Sequence, residues 1–103
     1  MDDAPATSLV LVRPGPAWDH ARPLAAQRNA AAHLAWVRGH VAAGTALTAG
    51  PVCRHDQRLT TDLVGVIVLA LPLAEATTLA QTDPAVAGGQ LRMSVHPYFR
   101  VVA

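Results

Sequence analysis

A chain of 103 residues that is 51% hydrophobic, 15% charged and formally +1 is neither disordered nor built to hold polyanions. No Lys/Arg cluster points to nucleic acid or to an anionic membrane. So apolar a composition in so short a chain fits one domain, residues 1–103, that covers part of its core with a second copy of itself. The single cysteine, Cys53, excludes an internal disulfide, and the start lacks a charged segment followed by a long apolar one, so the reading is a cytoplasmic protein.

In chain order, residues 1–6 (MDDAPA) are polar and read as a frayed end. SLVLV, 8–12, is apolar without alternation, which predicts a strand covered on both faces, and RPGP at 13–16 stops it. After a connector at 17–24, Ala30, Leu34, Val37 and Val41 recur at helical spacing in an alanine-rich stretch. The pattern predicts a helix over 24–43 with Gly44 at its C-terminal cap.

TALTAGP, 45–51, reads as a short strand and VCRHDQRLTT, 52–61, as a polar loop. DLVGVIVLALP, 62–72, contributes to the longest apolar run, which contains Pro72 and is shorter than the roughly 20 residues of a spanning helix. It reads as a second central strand. A short helix over 72–81 follows, ended by Asp83-Pro84. In LRMSVHPYFRVV the odd positions from 91 to 101 are apolar, and Arg92, Ser94, His96, Tyr98 and Arg100 alternate with them. This is a half-covered strand, and Pro97 places it at a sheet edge.

The order βαββαβ, with strands one and three apolar on both sides, predicts an α+β, ferredoxin-like protomer with antiparallel sheet order 4-1-3-2. Both helices of that fold lie on one face, so the other face calls for a cover, and pairing of two sheets into a dimer supplies one.

The same topology places Asp83, just before strand four, near the early part of the first helix, where His33 is the ionisable residue at hand. A carboxylate that fixes an imidazole's tautomer makes a general base suited to neutral pH. The alternative is a boundary histidine beside a capping aspartate. Ser94, His96 and Tyr98 point one way along strand four, either lining the same cavity or lying in an interface. His33 and His40 lie about 10 Å apart along a helix, too far to share a metal, and no dinucleotide or phosphate loop is present, so no cofactor is expected. Asp19-His20 and His55-Asp56 read as solvated loop pairs. Cys53, beside Arg54 and His55, reads as a buried or half-buried residue before a nucleophile.

HLAWVRGHVAAGTALTAGP (33–51), DPAVAGG (83–89) and SVHPYF (94–99), in this order and spacing, resemble the YCII-related family of YciI-like proteins. The resemblance implies a dimeric α+β barrel with a cavity and a His-Asp dyad on His33 and Asp83. A few relatives act as small dehydrochlorinases or isomerase-like enzymes on cyclic compounds. The chain departs from the pattern in three places. Arg28 stands five positions before the histidine rather than close to it, Ala85 replaces an aromatic after Asp-Pro, and the loop at 52–62 lacks glycines. The functional expectation is a cofactor-independent lyase or isomerase acting on a small molecule through His33 and Asp83. The alternative is a non-catalytic dimer that binds a small ligand or serves assembly.

Overall fold

The computed structural model describes residues 6–56 and 62–101. The expected frayed start at 1–5, the loop positions 57–61 and the final residues 102–103 lie outside the described residues. The elements are β1 (Thr7–Pro14), a 3-10 turn (Leu24–Ala26), α1 (Ala30–Ala42), β2 (Ala46–Pro51), β3 (Gly65–Leu69), α2 (Leu73–Ala80), α3 (Pro84–Ala87) and β4 (Leu91–Tyr98). The four strands form one sheet in the order β2-β3-β1-β4, with every neighbouring pair antiparallel. This is the 4-1-3-2 order in reverse, an α+β ferredoxin-like fold. Pro97 lies on the edge strand β4, where its missing N–H costs no ladder bond to an outer neighbour.

Register assigns the faces. Val10 stands opposite Ile67 and Val95, and Val12 opposite Gly65 and Met93; Leu9 stands opposite Val68 and His96, and Leu11 opposite Val66 and Ser94. Residues paired across strands share a face and their neighbours in sequence take the other. Val10, Val12, Ile67 and Leu69 are buried with Ala76 of α2 and Ala85 of α3, so the helices cover this face. Ser8, also fully buried there, donates its hydroxyl to the Leu71 carbonyl at 2.8 Å. Leu9, Leu11, Val66 and Val68 are only half-buried on the face without helices. Both central strands are therefore apolar on both sides, and one side has no cover from the described residues.

The first helix starts later than its periodicity suggests. Asn29 has φ 65°, a left-handed conformation that the α-helix does not continue through, so α1 begins at Ala30. Residues 24–26 instead form the 3-10 turn, held by the buried side chain of Gln27. Its Oε1 accepts the Asp19 N–H at 2.9 Å, and its Nε2 donates to the carbonyls of Asp19 at 2.7 Å and Arg22 at 2.8 Å. At the other end Gly44 adopts φ +79° just past α1, the left-handed stop that glycine accepts most readily. Asp83 also does more than stop a helix. It caps a further one, α3, with Pro84 at the first helical position.

Candidate active site

Asp83 is held in place by local chemistry before it meets any partner. Pro84 fixes φ at the start of α3, and Asp83 Oδ1 accepts the Ala85 N–H at 3.0 Å, an N-cap bond that anchors the carboxylate. The side chain is completely buried, and its second oxygen, Oδ2, lies 2.5 Å from His33 Nδ1. A carboxylate only accepts, so Nδ1 carries the proton and Nε2 is left with a lone pair. No other hydrogen bond of the His33 ring exists among the described residues.

One further contact restrains the imidazole. Trp36, one helical turn on, stacks beside it with ring centres 6.5 Å apart and planes 21° from parallel. Trp36 is itself anchored, donating its indole N–H to Thr82 Oγ1 at 2.9 Å, and it meets His40 edge-on at 4.8 Å. The residue next to Asp83 thus positions the ring that packs on the partner of Asp83.

His33 is 17% exposed and opens onto a cavity of about 630 Å³ between α1 and the sheet. The floor is Val12, Val64, Gly65, Ile67 and Leu91, and Leu34, Val37 and Val41 of α1 form a wall. None of the residues of α1 is buried; Leu34 and Val41 remain 46% and 45% exposed. The helix therefore packs on the sheet only in part, with Trp36 and Val37 against the core, and the apolar stripe that its periodicity marks as core lines this space. A volume of this size, mostly apolar with few polar groups, suits a small organic molecule.

The strand-four residues lie elsewhere. Ser94, His96 and Tyr98 stand opposite Leu11, Leu9 and Thr7, on the sheet face away from the helices, and they do not line the His33 cavity. Their shared orientation follows the alternation; of the two places open to them, the His33 cavity and an interface, they are not at the cavity, because it is Leu91, Met93 and Val95 that point toward the helices. Ser94 Oγ and His96 Nε2 are 2.9 Å apart, and Thr7 Oγ1 donates to the Tyr98 carbonyl.

Cys53 is exposed rather than buried, in a single bridge just past the end of β2 at Pro51. Arg54 pairs with Asp56 at 3.2 Å, and Asp19 pairs with Arg22 at 3.2 Å. His20 and His55 are exposed, as expected of solvated loops. Among the described residues no three His, Cys, Asp or Glu side chains group as metal ligands, and no helix is long and apolar enough to cross a membrane.

A ferredoxin-like α+β domain, with a His-Asp pair set at the edge of an apolar cavity under its first helix, defines the class of protein. The family model of the YCII-related domain matches residues 10–97, and the chain belongs to that family. No curated protein matches the chain.

Proposed function

We propose that the protein is a cofactor-independent enzyme of the lyase or isomerase type, in which His33 moves a proton on a small molecule bound under α1. The observation that carries this reading is the 2.5 Å contact of His33 Nδ1 with the buried Asp83 Oδ2, made by a ring that also lines the cavity. With its proton committed to Asp83, the ring presents the Nε2 lone pair to a bound substrate. Nε2 takes a proton from a substrate carbon, and the buried carboxylate offsets the positive charge that appears on the ring.

The electron pair left on carbon then has two outcomes. In an isomerase it shifts along a conjugated system, and the same proton returns from Nε2 to another carbon. In a lyase it forms a double bond as a leaving group departs with its electrons, and the proton is released to water. The stacked Trp36 limits rotation of the ring during the transfer, and the apolar walls keep bulk water from competing for the proton.

The uncovered sheet face supports the further proposal that the protein works as a dimer, with Leu9, Leu11, Val66 and Val68 of two copies apposed. That interface does not require the dyad. The competing reading, a ligand-binding dimer without chemistry, draws on the same cavity.

The two readings part on one experiment. Small cyclic carbon acids are incubated with the protein in D2O, and deuterium incorporation or elimination is followed by mass spectrometry. Turnover by the native protein that is lost in His33→Ala, with ligand binding retained, supports the enzyme. Turnover equal in both proteins sinks the dyad as the catalytic device.

A further inference from the structure

Among the described residues two ionisable side chains line the cavity beneath α1: His33 and Arg38. Among the described residues Arg38 makes no ion pair and no hydrogen bond, whereas Arg13, Arg22 and Arg54 each meet an aspartate. At 100° per residue, His33 and Arg38 flank the apolar stripe of Ala30, Leu34, Val37 and Val41 on opposite sides, and five residues separate them by about 7.5 Å along the helix axis. The cavity thus has a base at one edge, a cation at the other and hydrocarbon between.

We propose that Arg38 binds the anionic end of the substrate, and that the ligand class is a ring-sized apolar carboxylate whose reacting C–H lies at the end away from the carboxylate. This rests on the proton-transfer reading of the same cavity and adds the substrate class to it. A neutral hydrocarbon would leave the guanidinium without use, and a cationic ligand would be repelled by it. A carboxylate accepts two parallel N–H bonds from a guanidinium, a geometry that fixes orientation as well as position. With the carboxylate held at Arg38, one ring's length of substrate along Leu34 and Val37 brings its far edge to His33 Nε2. Arg38 is therefore a specificity-determining residue, separate from the proton-moving pair.

The test uses 2-naphthoate and its neutral counterpart 2-naphthamide as probes. Each is titrated into the native protein, Arg38→Gln and His33→Ala, with the backbone amide NMR signals of Ala49, Gly50 and Gly65 reporting occupancy. Arg38 is exposed and has no partner among the described residues, so Arg38→Gln keeps the fold, and an unchanged amide spectrum elsewhere checks this. The expected result is that naphthoate binds the native protein and His33→Ala, and binds Arg38→Gln about tenfold more weakly or worse. Naphthamide is expected to bind more weakly than naphthoate and to be indifferent to the substitution.

Equal binding of naphthoate by the native protein and Arg38→Gln overturns the proposal, as does equal affinity for the two probes, or no response of the cavity amides to either. Binding that depends on Arg38, with turnover that ignores His33, would instead retain the anion site and remove the dyad.

Discussion

Asn29 donates its side-chain N–H to Gln90 Oε1 at 3.0 Å, joining the residue before α1 to the residue before β4, and Gly88 lies against both groups. A β-carbon at Gly88 would overlap Asn29 Nδ2 and Gln90 Oε1, so an alanine there has to push both side-chain ends aside and part their hydrogen bond. Gln90 completes the link by donating to the Gly88 carbonyl at 3.0 Å. This contact joins the chain segments that carry His33 and Asp83.

Gly88→Ala is therefore expected to destabilise the protein by about 0.5–1.5 kcal/mol, the net worth of the hydrogen bond it parts. Gly39→Ala is the control. Gly39 is exposed within α1 with nothing near its missing β-carbon, and alanine there should add about 0.5–1 kcal/mol. Urea unfolding gives both values. A Gly88→Ala midpoint equal to that of the native protein would show that the Asn29 and Gln90 side chains swing aside at no cost.

Asp83→Asn isolates the role of the carboxylate in fixing the tautomer. Asparagine keeps an oxygen for the Ala85 N–H, which caps α3, but places an amide N–H against His33 Nδ1. Nδ1 must then accept, so the ring proton moves to Nε2, the nitrogen that is to take a proton from the substrate. The ring nitrogen shifts of His33 should exchange their pattern between the two proteins, and turnover should fall about 10²–10⁴-fold with the fold retained. Asp83→Ala loses the cap as well, and should be less stable than the native protein by about 1–3 kcal/mol. An Nε2 that stays unprotonated in Asp83→Asn contradicts the arrangement.

The sheet was legible in the sequence because its signals are local. The alternation of β4, the apolar run of β1 and the position of Pro97 each follow from backbone geometry and from burial on one face or two. The meeting of His33 with Asp83 followed from strand order. The start of α1 was not legible. Alanine favours helix at 25 and 26 as much as at 30–32, and what ends the helix at Asn29 is a left-handed residue together with a glutamine bonded to backbone five and eight positions upstream.

The cavity was hidden for a related reason. Leu34, Val37 and Val41 have the same spacing whether a helix packs on a sheet fully or only in part. The side chosen by Ser94, His96 and Tyr98 was hidden because Leu9 and Leu11 are as apolar as Val10 and Val12, so β1 does not declare which parity faces the helices. Trp36 had a usable signal, three residues after His33 and hence beside it on the helix.

Leu11 lies at the centre of the uncovered face, between Val66 and Ser94 in register, and a lysine there tests the dimer. The leucine points away from the buried cluster formed by Val10 and Val12, so Leu11→Lys leaves the core intact and the His33–Asp83 contact in place. In a two-fold interface the substitution occurs twice, and each lost leucine removes about 1.5–3 kcal/mol of burial, which weakens association by about 10²–10⁴-fold. Sedimentation at matched concentration should then show a native dimer and a folded monomeric variant. A native protein that sediments as a monomer would remove the dimer, and a variant that still pairs would place its contact elsewhere; either leaves Leu9, Leu11, Val66 and Val68 as an open face of the sheet.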